Sequence, residues 1–152
     1  MKYALATTGV ALMTALASSA TMAQAPSFAG PQEAIEFRQA TLKELQQNFK
    51  RIADMANGRA DFDAGLAETS AVRAAELIKQ PWAGFGPGTE GGKASPSIWR
   101  EQDKFKAAAA RAENEVSKVA VAAKTGSLDA IKAAVGNAAA SCKACHDDFR
   151  RR

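Results

Sequence analysis

Residues 127–149 read SLDAIKAAVGNAAASCKACHDDF, and the spacing within this stretch predicts the architecture of the chain. Apolar residues recur at alternating steps of three and four, which is the periodicity of an amphipathic helix packed against other helices. Ser127 is suited to cap that helix. The inward seam consists of Leu128, Ile131, Val135, Ala138, Cys142, Cys145 and Phe149. The stretch therefore predicts a C-terminal helix with one face in the core of a helix bundle.

Three further segments show helical periodicity, over residues 31–55, from Asp61 or Asp63 to residue 80, and from Ser95-Pro96 to residue 124. No segment shows the alternation typical of strands. We therefore predict an all-α fold, an antiparallel up-down-up-down four-helix bundle. The residues expected to face inward in the second and third helices are Leu66, Ala74, Leu77, Ile78, Trp99, Phe105, Ala109, Ala112, Val116, Val119 and Ala123.

The first helix has a charged residue in its seam. With Ile35, Leu42, Phe49 and Ala56 at heptad position a, position d holds Leu45, Ile52 and Arg38. One interpretation is a shift of register that lets Arg38 extend to solvent. The other is an arginine turned inward to meet an anion.

Residues 81–96, PWAGFGPGTEGGKASP, hold five of the eleven glycines and three of the five prolines of the chain. This composition predicts an irregular connection between the second and third helices. A loop of that length inside a compact domain is usually functional or crosses the bundle. Trp82 and Phe85 are the residues expected to hold it against an apolar surface.

CKACH, from Cys142 to His146, contains both cysteines and the only histidine of the chain. A thiol–disulfide site would place its first cysteine at a helix N-terminus after a strand, whereas this pair lies near a helix end. A structural zinc site needs four ligands, and these three residues are too few. C-x-x-C-H is the attachment signal for covalent haem c, with two thiols for the vinyl groups and His146 for the iron. We predict one haem per chain.

The histidine and methionine content of the chain limits which side chains could occupy the sixth coordination position of the iron. No second histidine exists, and Met55 is the only methionine outside the predicted signal peptide. A six-coordinate His/Met electron carrier would need Met55 to reach the iron, and we expect instead a five-coordinate iron with an open face. The haem propionates would need a cation or donor, and Arg38, with Gln39 beside it, is suited to supply one.

The N-terminus, MKYALATTGVALMTALASSATMAQAP, has a single positive charge, an apolar stretch and a run of small residues. We predict a secretory signal peptide over residues 1–23, a single domain over residues 24–152, and a periplasmic location. No stretch of roughly 20 strongly apolar residues is available to span a membrane. The net charge of +4 is spread along the chain without a basic stripe interleaved with aromatics, which disfavours nucleic-acid binding.

Three motifs together resemble cytochrome c-prime, the class II c-type cytochromes: CKACH, FRQATL at 37–42 and PWAGFGPGTEGG at 81–92. The resemblance covers essentially the whole chain after the signal peptide. It implies a periplasmic, usually dimeric haem protein with five-coordinate iron that binds NO and CO. It also implies electron transfer, and hence a periplasmic redox protein as a partner. No acid/base pair flanks the expected open face, so we do not predict an enzyme.

The resemblance also implies roles for individual residues. Cys142 and Cys145 match the thioether links and His146 the axial ligand. The remaining matches are Arg38 and Gln39 on the propionate side, Leu42 at the distal face, Arg150 on the proximal side, and Phe85, Thr89 and Glu90 in the loop over the haem. Phe149 stands where many relatives have tyrosine, so any role of a phenol hydroxyl there is lost.

Overall fold

The fold is built from four long helices in a computed structural model that describes residues 26–151. The helices are α1 (Pro31–Ala56), α2 (Ala64–Leu77), α3 (Ser97–Arg100), α4 (Gln102–Ala123) and α5 (Leu128–Phe149), and a 3₁₀ turn covers Pro81–Phe85. The predicted signal peptide lies outside the described residues. Because α1 packs on α2, α2 on α4, α4 on α5 and α5 on α1, the long helices form a closed bundle. The prediction of an all-α four-helix bundle is confirmed.

Local signals in the sequence set most of the helix ends. The Asp63 carboxylate accepts a hydrogen bond from the Leu66 amide at 2.9 Å, and the Ser127 hydroxyl accepts one from the Ala130 amide at 3.3 Å. These are N-caps of α2 and α5, and each satisfies an amide that has no partner within the helix. After α1 and α4 the chain turns at Gly58 and Gly126, whose φ angles are +69° and +68°. Such positive φ angles favour glycine because it has no Cβ.

Two expectations about the third helix and its preceding loop need correction. The predicted helix from Ser95-Pro96 to Lys124 is interrupted at Glu101, where φ is −123° and ψ is 48°. The interruption separates the short α3 from α4, and α3 lies against the loop, where the Trp99 indole N–H donates to the Gly86 carbonyl at 2.8 Å. The loop itself is partly regular, since its first five residues form the 3₁₀ turn.

The structure also corrects the inward faces of three helices. The buried row of α1 consists of Ala34, Arg38, Thr41, Leu45, Asn48, Ile52, Met55 and Ala56. Ile35, Leu42 and Phe49 are only partly buried. Leu66 and Leu128, predicted to face inward, are 46% and 38% exposed. Each lies in the first turn of its helix.

Two clusters make up the interior. The aliphatic half lies among the four long helices and contains the fully buried side chains of Ile52, Leu77, Val116, Val119 and Ile131. The aromatic half contains Ile98, Phe105 and Phe149, with Trp82, Phe85, Trp99 and Cys145 packed against them. The aromatic half lies at the end where α5 finishes, so it adjoins CKACH. Within residues 26–151, no helix has the length and hydropathy needed to cross a membrane.

Candidate cofactor site

The CKACH motif occupies the last two turns of α5. Cys142 and Cys145 carry free thiols and are partly buried, and Cys145 packs against the aromatic half. His146 and Arg150 are exposed on the polypeptide surface, and Arg150 follows the last helical residue in an extended conformation. The structure therefore brings the two thiols against the core and leaves the imidazole beside them at the rim.

The protonation of these groups fits covalent attachment better than thiol redox chemistry. Burial raises the pKa of the Cys142 thiol, and burial, Cys142 and Asp148 raise the pKa of the Cys145 thiol to about 11. Reactive disulfide-exchange cysteines have lowered pKa values, so this pair lacks their signature. Partial burial and the positive charge of Arg150 lower the pKa of the His146 imidazole, whereas the negative charge of Asp147 acts to raise it. A neutral imidazole is the form that ligates a metal.

A cavity of about 180 Å³ opens in the aromatic half. It is lined by Trp82, Phe85, Ile98, Gln102, Phe105, Lys106 and Ala109. The Trp82 indole nitrogen is buried and has no hydrogen-bond acceptor among the described residues. A buried donor of this kind costs free energy unless it is satisfied. An aromatic-lined space, a buried N–H donor and the adjoining Cys145 thiol are groups of the kind that line a haem site.

Arg38 is buried, with 2% of its surface exposed, so the interpretation that it extends to solvent is wrong. Its Nη1 donates to the Gly84 carbonyl at 2.7 Å and to the Thr89 hydroxyl at 3.2 Å, and its Nη2 donates to the Gly91 carbonyl at 3.1 Å. The guanidinium also lies over the Phe85 ring, 4.4 Å from its centroid. Burial lowers the pKa of Arg38, and the charge of Glu90 opposes that shift. Arg38 thus ties the loop to α1.

Two glycines let the loop approach α1 closely. A Cβ on Gly84 would lie 2.6 Å from the Ala34 carbonyl oxygen, and a Cβ on Gly92 would lie 2.5 Å from the Gln39 Nε2. Within this loop Thr89 is buried and donates its hydroxyl to the Gly86 carbonyl at 2.7 Å, whereas Glu90 is exposed. The loop therefore covers the side of α1 that carries Arg38 and Gln39.

Leu42 and Met55 lie in different parts of α1. Leu42 is partly buried one turn beyond Arg38 and packs against the aliphatic half. Met55 is buried in the last turn, about 25 Å along the helix from Arg38 at 1.5 Å per residue. Because the Arg38 end of α1 adjoins the loop that also contacts the end of α5, Met55 lies at the opposite end of the bundle from CKACH.

Two features of the site were missed by sequence reasoning. The unsatisfied Trp82 N–H is one of them, since Trp82 was expected only to pack. The other is a set of backbone hydrogen bonds between residues 93–95 and 149–151, which includes an isolated antiparallel bridge between Ala94 and Arg150. Backbone pairing between such short segments leaves no periodic signal in the sequence. The aromatic residues of the loop were the only available hint of the first feature.

Comparisons with known proteins agree with this geometry. A family model described as Cytochrome C' matches residues 33–150. Cytochrome c' of Rubrivivax gelatinosus is 41% identical over 128 residues, which cover 82% of this chain and 99% of that protein. Cytochrome c' of Alcaligenes xylosoxydans is 39% identical over 125 residues, which cover 82% of this chain and 98% of that protein.

Solved structures are similar as well. The crystal structure of the Rubrivivax gelatinosus protein superposes with a TM-score of 0.80, at 41% identity, and covers 82% of this chain and all of that one. A nitric oxide complex of a leucine-to-valine variant of the Alcaligenes xylosoxidans protein superposes with a TM-score of 0.79, at 38% identity. That match covers 83% of this chain and 100% of the solved one.

Proposed function

Since the chain belongs to the cytochrome c' family, we propose that it is a periplasmic haem protein whose five-coordinate iron binds NO and CO and takes part in electron transfer. The family binds covalently attached haem c with its iron, and the two cysteines for that attachment are present. The observation that carries the proposal is CKACH beside an aromatic cavity with an unsatisfied Trp82 donor. When bound, the haem supplies an iron that can accept a diatomic ligand and change its oxidation state.

We assign the attachment to Cys142 and Cys145 and the axial ligand to His146. The two thiols are three residues apart on one face of α5, and both are partly buried against the core. His146 follows on the adjacent side, and it is the only histidine of the chain. Arg150, one helical turn further, is assigned to the proximal side, where its cation stands near the imidazole and lowers the imidazole's pKa.

The positions of Met55 and Leu42 support an open sixth coordination position on the iron. Met55 is far along α1 and buried in the aliphatic half, which disfavours the alternative of a six-coordinate His/Met electron carrier. We assign the distal face to Leu42, an aliphatic side chain without a hydrogen-bond donor. Bound O₂ gains from such a donor, whereas NO and CO depend on it less, so this residue favours the latter two gases.

The loop and α1 are assigned to the haem carboxylates and the cover of the site. Arg38 already donates to three loop oxygens, and its remaining N–H groups, with the Gln39 amide, are assigned to a propionate. The Trp82 N–H is a further buried donor near this cavity. Phe85, Thr89 and Glu90 belong to the covering loop that Arg38 holds.

Location and assembly are part of the same proposal. The signal peptide of residues 1–23 would direct the chain to the periplasm, where a redox protein and a second copy of this chain are the proposed partners. The relatives are named as cytochromes, and we propose no enzymatic activity.

The gas-binding proposal is tested by titrating the reduced protein with CO and with NO while recording its absorption spectrum. We expect both gases to change the spectrum. Leu42→Ala should bind CO faster because it removes bulk from the distal face, and Leu42→Ile, which keeps the bulk, is the matched control. A reduced protein whose spectrum neither gas alters would refute gas binding. Equal CO rates in wild type and Leu42→Ala would remove Leu42 from the distal face.

A further inference from the structure

We propose that residues 93–97 position Arg150, so that the segment leading into α3 sets where this cation stands beside the proximal face. The inference rests on the proximal role of Arg150 in the proposed function. It adds positioning residues outside the haem motif, which act through hydrogen bonds to the backbone on either side of Arg150.

The bonds lie on both sides of Arg150. The Ser95 amide donates to the Phe149 carbonyl at 2.9 Å, and the Arg151 amide donates to the Lys93 carbonyl at 2.9 Å. Arg150 itself pairs with Ala94 in the antiparallel bridge. Ser97 is the fourth residue of this segment to contact the end of α5, since its hydroxyl donates to the Asp148 carbonyl at 3.0 Å. The last turn of α5 and the residue that follows it are therefore attached to another part of the chain.

This attachment matters because helix ends fray. The last carbonyls of a helix have no partners within it, and the terminal residues move unless something else holds them. Here Ser97 and Ser95 satisfy the carbonyls of Asp148 and Phe149. Arg150 is exposed, and no described side-chain hydrogen bond or ion pair holds its guanidinium, so its backbone determines the region that the cation can reach.

The same loop also contacts α1 through Arg38, which binds the carbonyls of Gly84 and Gly91 and the hydroxyl of Thr89. One continuous connection thus joins the buried arginine of α1 to the exposed arginine after α5. A disturbance of residues 93–97 should reach Arg150 directly, through the three bonds described above.

Arg151→Pro, compared with Arg151→Ala, separates the backbone bond from the side-chain charge. Both variants lose the charge, but only proline removes the amide that donates to Lys93. Residues before proline adopt extended conformations, and Arg150 already has φ −119° and ψ 129°, so the substitution should not strain it. Arg150→Ala serves as the reference for complete loss of the cation.

Two readouts on the haem-containing protein test the inference. The first is amide hydrogen exchange at Ser95, which we expect to accelerate about tenfold in Arg151→Pro. The second is the EPR spectrum after NO is added to the reduced protein. We expect Arg151→Pro to shift this spectrum more than half-way toward that of Arg150→Ala, and Arg151→Ala to match the wild type.

An Arg151→Pro spectrum equal to that of Arg151→Ala would overturn the positioning role, whether or not Ser95 exchange changes. An Arg150→Ala spectrum equal to wild type would instead overturn the proximal role in the proposed function, so the two failures are distinguishable. If Arg151→Pro does not accumulate, Ser97→Ala and Ser97→Thr replace it. The alanine variant should shift the spectrum and the threonine variant, which keeps a hydroxyl, should restore it; equal spectra would again overturn the inference.

Discussion

The two halves of the bundle differ in the side chains that fill them. In the aliphatic half, Ile52, Val116 and Ile131 are at most 1% exposed, in a core of branched side chains and alanines. The aromatic half holds a cavity, two free thiols, a buried arginine and an indole N–H that has no acceptor among residues 26–151. The first half stabilises the fold by burying apolar side chains, although the buried Ser70 hydroxyl of α2 also has no hydrogen-bond partner among the described residues. The second half combines a cavity with thiols and a buried cation, which is what a site built around a large covalently attached group requires.

The largest effect should come from removing the attachment in the aromatic half. Cys142→Ser with Cys145→Ser leaves no thiol for a thioether bond, so we expect complete loss of covalently bound haem. Intact-mass spectrometry measures this as the absence of the added haem mass. Lys143→Ser, which alters one of the two exposed residues between the cysteines, is the control and should retain haem. Retention of haem mass by the double variant would contradict the assignment.

A truncation in the aliphatic half should affect stability without affecting the haem spectrum. Ile131 is 1% exposed, and Ile131→Ala should lower the free energy of unfolding by about 3 kcal/mol through lost burial and a cavity. Denaturant unfolding gives this value, and the absorption spectrum of the native protein should be unchanged. Val121, 68% exposed, offers the comparison: Val121→Ala should change stability by less than about 0.5 kcal/mol. A shifted absorption spectrum in Ile131→Ala would mean that packing in the aliphatic half affects the haem site, which would contradict the separation of the two halves.

A smaller effect is expected where the loop meets α1. Gly84→Ala places a Cβ 2.6 Å from a backbone oxygen of α1, which cannot move aside as a flexible side chain would. We expect a loss of about 2 kcal/mol, the usual cost of overpacking. Gly86→Ala is the matched control, because no atom lies within 4 Å of its added Cβ and its φ is not positive. Equal unfolding midpoints for the two variants would show that the loop does not press on α1.

The smallest effect concerns acid sensitivity at the aliphatic end. Hydrogen bonds from Lys50 and Arg59, together with their charges, lower the pKa of Asp54. A lowered folded-state pKa stabilises the fold above the unfolded-state pKa, and that contribution disappears as the pH falls through the folded-state value. Asp54→Asn should therefore unfold slightly more easily than wild type at neutral pH, and the difference should shrink as the pH falls below the ordinary pKa of an aspartate, about 3.9. Thermal unfolding across this range tests it; a constant difference between the two proteins would contradict it.

The aliphatic half was the more predictable of the two because its signals are local. Asp63 and Ser127 cap helices as their residue types suggest, and the spacing of Ile131, Val135 and Ala138 corresponds to buried positions. Periodicity does not distinguish the first turn of a helix from its middle, and Leu66 and Leu128, both in first turns, are exposed although they were predicted to face inward.

The aromatic half was predictable in its chemistry and unpredictable in its contacts. The five residues of the C-x-x-C-H motif are sufficient to indicate covalent attachment of haem c. The heptad position of Arg38 suggested that this arginine could be buried. The oxygen atoms that accept its hydrogen bonds, however, belong to loop residues at least 46 positions away in sequence, so the sequence pattern did not reveal them. The break at Glu101 and the bridge between Ala94 and Arg150 depend on tertiary packing and backbone pairing. Neither leaves a pattern in residue types.

We propose that His146 is the only ligand that the protein supplies to the iron and that the opposite face is open. Absorption and EPR spectra of the purified oxidised and reduced protein, with no added ligand, test it most directly. We expect the high-spin spectra of a five-coordinate iron in the reduced form and no low-spin His/Met signature in either form. Low-spin six-coordinate spectra in both oxidation states would contradict it, because a second protein ligand would then have to occupy the face assigned to Leu42.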